Sequence, residues 1–125
     1  MQIRRQIVWF AALLLLSAPL ACGGWTMLED VTCPEQGTPL TYENFGKAFF
    51  ASYCDSCHAA DSTQRRGAPI AYIFDTHEAI VALKNRIFLR SAANNTTMPP
   101  GPDDPPQAER DKLAEWIACG APKAP

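Results

Sequence analysis

After an apolar run from Ile7 to Leu16, the chain carries three stretches of helical period and no strand alternation. The first starts near Thr41, an N-cap residue, with Glu43 in the first turn. Phe45 and Phe49 stand at i, i+4, and Gly46, Phe50 and Tyr53 form the adjoining stripe, which runs into Cys54. Residues 59–70 are polar and turn-rich and end in Gly67-Ala68-Pro69. Asp75 and Glu78 have capping-box spacing, so a second helix is predicted from Asp75, with Ile80, Leu83 and Ile87 as its buried stripe. Five prolines make 91–106 a long loop. A last helix is predicted from Asp104, with Pro105 as its first helical residue. Leu113, Trp116 and Ile117 are its apolar face and Gly120 its stop. The pattern predicts an all-α domain of about three main helices joined by long loops.

The chain has 125 residues, enough for one small domain. With 47% apolar residues and 19% charged ones, disorder does not fit. A formal charge of −2 lacks the electrostatic footprint of a nucleic-acid binder. Arg4 and Arg5, the apolar run and the small residues after it have the order of an export signal over residues 1–21. The run is short for a membrane span, which needs ~20 residues; a retained N-terminal anchor is the other reading. Leu20-Ala21-Cys22-Gly23 resembles a bacterial lipoprotein signal, in which Cys22 is lipidated and becomes the new N-terminus. Pro19 stands where such signals have an aliphatic residue, and ordinary signal cleavage is the alternative. On either reading the chain is exported, into a compartment where disulfides persist. A periplasmic location with membrane anchoring through Cys22 is expected. Residues 22–40 read as a tether and lead-in, 41–122 as the domain and 123–125 as a tail.

Five cysteines, an odd number, lie at 22, 33, 54, 57 and 119. Cys54-Asp55-Ser56-Cys57-His58 is a C-x-x-C-H motif, the attachment signature of c-type haem. Two thiols at this spacing can bond the two vinyl groups of one haem, and the next residue offers an imidazole to the iron. A covalently held porphyrin also adds apolar surface to a core that three short helices would otherwise build alone. A redox dithiol expects a βαβ setting, which is missing. A zinc site could recruit Cys33, Cys54, Cys57 and Cys119, but it leaves the aromatic helix and the Met-Pro-Pro loop unexplained. For the sixth iron position Met98 is favoured, because Pro99 and Pro100 stiffen the backbone beside it. Met27, His77 and an open site are the other readings. Lys84, Arg86 and Arg90, with Arg65 and Arg66, read as solvated faces, or alternatively as a basic docking patch.

With these motifs residues 41–122 resemble a small class I monohaem cytochrome c. Gly46 and Phe50, eight and four residues before Cys54, match that family's first helix, and the Trp-Ile-x-x-Gly ending recurs in bacterial members. The resemblance implies a cytochrome c fold wrapped around one covalently bound haem c, with Gly46 allowing the first and last helices to cross closely. It implies that Pro69, eleven residues after His58, supplies the carbonyl that accepts a hydrogen bond from the proximal histidine. In that fold the first and last helices meet, so their outer ends can be neighbours; a disulfide between Cys33 and Cys119, which the family pattern does not require, is expected, with two free thiols as the alternative. With His58 and Met98 as ligands, the implied role is one-electron transfer in an extracytoplasmic chain, not catalysis. The protein would exchange electrons with redox partners, either freely or as a subunit of an oxidoreductase complex. A haem-based redox or gas sensor, or a peroxidase-like subunit, would instead require an open or labile sixth site.

Overall fold

A computed structural model of the chain describes residues 24–124. The export signal and Cys22 lie outside the described residues. Among the described residues there are four α-helices and no strand: α1 Lys47–Tyr53, α2 Asp55–His58, α3 His77–Ser91 and α4 Gln107–Ala118. A 3₁₀ turn, Leu28–Asp30, precedes them, and a π-helical segment, Tyr42–Gly46, leads into α1. None of these helices is long and apolar enough to cross a membrane. The all-α architecture with long loops expected from the pattern is the one observed among the described residues.

Thr41 caps the π-helical segment as expected. Its hydroxyl accepts from the Asn44 amide at 3.1 Å, and the Asn44 carboxamide accepts from the Thr41 amide at 2.7 Å. The other two helices begin later than the residue pattern predicts. Thr76, not Asp75, caps α3 by accepting from the Ala79 amide at 3.1 Å. The Asp75 carboxylate instead accepts from the amide of Ala60 across the loop. For α4 the residue at the N-cap is Pro106 rather than Asp104, and Asp104 faces the guanidinium of Arg110 at 3.5 Å. In both cases the carboxylate meets a partner other than the first-turn amides of its helix, Ala60 for Asp75 and Arg110 for Asp104.

The core lies between the π-helical segment, α1, α3 and α4. Phe45, Phe49, Phe50, Phe74, Ile80, Ile87, Phe88, Leu113, Trp116 and Ile117 are its large buried members. Gly46 sits against the indole of Trp116. A Cβ on Gly46 would stand 3.0 Å from both Cη2 and Cζ2 of that ring, so only glycine allows this close crossing. After α4 the chain turns through Gly120 at φ +87°. The tail then returns to the start of the π-helical segment. The Pro122 carbonyl accepts from the Tyr42 amide at 2.8 Å and from the indole N–H of Trp116 at 3.1 Å.

The stretch read as a tether and lead-in is strapped to the domain from Thr26 onward. Asn95 exchanges two hydrogen bonds with the Thr26 backbone, at 3.1 and 2.7 Å. The Thr38 hydroxyl donates to Glu115 at 2.6 Å, and Leu28, Val31 and Leu40 pack on the core. Cys33 and Cys119 form a disulfide with Cα atoms 4.8 Å apart. It links residues 86 apart in sequence, so it removes much freedom from the unfolded chain. Replacing both by serine is expected to cost about 2–4 kcal/mol, read as a lower urea midpoint. An unchanged midpoint would mean that the other lead-in contacts hold the strap alone.

Candidate functional site

α1 ends where Cys54 leaves helical geometry, and the single turn α2 carries Cys57 and His58 back over it. The amides of Cys57 and His58 both donate to the Cys54 carbonyl, at 3.1 and 2.9 Å. This tight turn is why two intervening residues suffice to bring both thiols and the imidazole to one wall. Cys54 is buried and Cys57 half-buried, and both are free thiols. Burial, and then the charge of Asp55, push the Cys54 thiol far above its ordinary pKa. A raised thiol pKa does not suit a redox nucleophile, which needs an accessible thiolate.

His58 is held through its ring and its backbone by the segment that follows the polar loop. Its Nδ1 lies 2.7 Å from the carbonyl oxygen of Tyr72. A carbonyl only accepts, so Nδ1 carries the proton and Nε2 keeps its lone pair. The backbone carbonyl of His58 accepts from the Phe74 amide at 3.1 Å. The ring of Phe74 stacks on the imidazole, with centroids 4.6 Å apart.

Pro69 does not supply the acceptor that the resemblance implies. The Pro69 carbonyl accepts from the Tyr72 amide at 3.0 Å and from the Arg65 guanidinium at 3.0 Å. Arg65 also donates to the carbonyls of Ala59 and Ala68. The turn clamped in this way spends the Pro69 carbonyl and carries the chain three residues further before a carbonyl faces the histidine. Pro69 still lines the site.

These residues open onto a cavity of about 410 Å³, within the ~300–1,000 Å³ range of cofactor sites. Cys54, Cys57, His58, Tyr72 and Phe74 are on its lining, and so are Ile87 and the loop Met98-Pro99-Pro100-Gly101. Met98 is 38% exposed, and its amide donates to the Arg90 carbonyl at 2.8 Å. Met27 and His77 are not on this lining. His77 instead places Nε2 2.7 Å from the Ala121 carbonyl and packs beside Tyr42 and Trp116. The four cysteines of the zinc alternative are divided, two at the cavity and two in the disulfide.

Four of the five basic side chains read as solvated are also part of this site, and Lys84 is not. Arg65, Arg66, Arg86 and Arg90 all line the cavity, against Asp103 as the one carboxylate on its lining. Arg86 lies over the Tyr72 ring, 5.0 Å from its centroid. This rim suits a cofactor with acidic groups.

Three further residues escape a reading by motif. Tyr72 and Phe74 follow a loop with no period, so nothing local marks them. Arg110 is buried in α4 and donates to the carbonyls of Ser91, Asn95 and Met98, at 2.9, 3.1 and 2.9 Å. It shares a helix stripe with Leu113, Ala114 and Ile117. A charge on an apolar stripe was the available signal. Burial lowers its pKa, and the charge of Asp104 opposes that shift; a guanidinium nevertheless stays protonated in proteins.

A family model described as "Cytochrome C oxidase, cbb3-type, subunit III" matches residues 44–117, which run from the π-helical segment to the end of α4. No curated protein and no solved structure matches the chain.

Proposed function

The chain belongs to that family and carries a c-type cytochrome domain, and from this premise we propose that it is a one-haem electron carrier of an extracytoplasmic chain. One observation carries the reading. His58 donates a hydrogen bond from Nδ1 to the Tyr72 carbonyl and so leaves Nε2 free, at a cavity that Cys54, Cys57 and Met98 also line.

The donor set fits haem c. Cys54 and Cys57 would form the two thioether bonds, and His58 and Met98 would be the fifth and sixth ligands. When bound, haem supplies a ferric–ferrous couple. The Tyr72 carbonyl and the stacked Phe74 hold the imidazole in one orientation, and the hydrogen bond to the carbonyl raises its basicity. Met98, as the softer ligand, favours a higher potential than a second histidine would. Two protein ligands that stay in place leave no open position for substrate, which suits electron transfer. The partners would be redox proteins, met either transiently or within an oxidase-type assembly. Export and anchoring through a lipidated Cys22 belong to the same proposal, and the Cys33–Cys119 disulfide suits an oxidising compartment.

The test is acid–acetone extraction of the purified protein followed by haem detection on the denatured chain. Haem is expected to stay with the polypeptide in the parent and to become extractable in Cys54→Ala with Cys57→Ala. Full extraction from the parent would refute the proposed attachment.

A further inference from the structure

The buried guanidinium of Arg110 has no part in the function proposed above, yet it meets the backbone of Met98 directly. Arg110 is 2% exposed. Its Nη1 donates to the carbonyls of Ser91 and Met98 at 2.9 Å and of Asn95 at 3.1 Å. Its Nη2 lies 3.5 Å from the Asp104 carboxylate. One nitrogen with two hydrogens thus serves three carbonyls, an arrangement that a positive charge favours.

The peptide units on either side of Met98 are fixed from opposite directions. The Met98 amide donates back to the Arg90 carbonyl near the end of α3, at 2.8 Å. The Met98 carbonyl accepts from Arg110 on α4. Met98 lines the cavity and is not a member of the buried core, so these backbone hydrogen bonds fix its place. Asn95, whose carbonyl shares the guanidinium, is itself anchored by donating to the carbonyls of Phe88 and Thr26. Burying a charge costs several kcal/mol unless it is well paired. An apolar residue at position 110 would pack on the same stripe without that cost, but it would leave three inward-facing carbonyls without a donor.

We propose that Arg110 is the positioning residue of Met98: it holds the backbone of the sixth-ligand loop and so limits how often the thioether leaves the iron. The proposal rests on the reading of Met98 as a ligand.

The experiment uses the full-length, haem-loaded protein in the ferric state, titrated with imidazole, which competes with Met98. The sulfur-to-iron charge-transfer band at the red edge of the spectrum reports Met98 ligation. Arg110→Met is expected to weaken or abolish the band and to raise the apparent imidazole affinity about ten-fold or more, from loss of charged hydrogen bonds. Arg110→Lys keeps a buried cation but not the fork, and should fall between it and the parent. If Arg110→Met does not fold, Arg110→Lys decides. Thr76→Ala removes the cap at the opposite end of α3 and serves as the control for general destabilisation; it should bind imidazole as the parent does. Parental affinity and band in the Arg110 variants would overturn the proposal, as would an equal rise in Thr76→Ala. A parent protein without the band would instead overturn the reading of Met98, and this inference with it.

Discussion

Replacing Trp116 by alanine is expected to cost the domain about 3–5 kcal/mol, a large share of a total near ~5–15 kcal/mol. The indole is fully buried and occupies the space that Gly46 leaves open. It meets Phe45 and Phe50 edge-on, with centroids 6.2 and 6.4 Å apart. Such pairs add ~0.5–1.5 kcal/mol beyond the area they bury. Its N–H also fastens the returning tail at Pro122. That carbonyl keeps the Tyr42 amide as a second donor, so the main loss is the cavity and not an orphaned oxygen. The damage should reach the cofactor site as well, because rings connect the two. Phe50 meets Phe74 at 5.5 Å, and Phe74 stacks on His58. Urea unfolding of the haem-loaded protein measures the cost. Trp116→Phe should lose roughly half as much, since a smaller ring still fills part of the space. A loss under ~1 kcal/mol for alanine would mean that the helices close over the gap, against the packing described.

The parts of this molecule that were legible in the sequence are those whose chemistry is local. Cys54, Cys57 and His58 reach one wall of the cavity because their spacing fits a single turn. Met98 is marked by the prolines beside it, and Phe45, Phe50 and Trp116 by helical period. What was not legible depends on which backbone carbonyl meets which side chain. A carbonyl has no residue identity, so the choice between Pro69 and Tyr72 depends on the path of the loop, and Arg65 sets that path by binding three of its carbonyls. Asp75 and Asp104 are good local caps, but each was taken by a partner distant in the chain or across a turn. The lead-in shows no period because side-chain hydrogen bonds and a disulfide hold it, not a helical face. Arg110 breaks the apolar stripe of α4; that break was visible, but what the guanidinium binds was not.

Met98→Ala should leave a folded protein with its haem and a changed iron. A loop methionine without a ligand role would cost at most about 1 kcal/mol when truncated and would change no spectrum. A ligand role predicts a different outcome. Alanine offers no donor atom, so the sixth position opens to water and to added imidazole or carbon monoxide, and the charge-transfer band disappears. The potential should fall by on the order of 100 mV, a fraction of the ~0.8 V over which axial ligands set haem potentials. The fall follows from losing a soft thioether that favours ferrous iron. Cys54, Cys57 and His58 are untouched, so haem should remain bound to the chain in acid acetone, which separates ligand loss from loss of attachment. Potentiometric titration with the band monitored is the measurement. A variant with the parent's potential and a six-coordinate low-spin spectrum would show that another residue binds the iron. A parent already high-spin would turn the reading toward the sensor or peroxidase-like class, in which the sixth position must open to work.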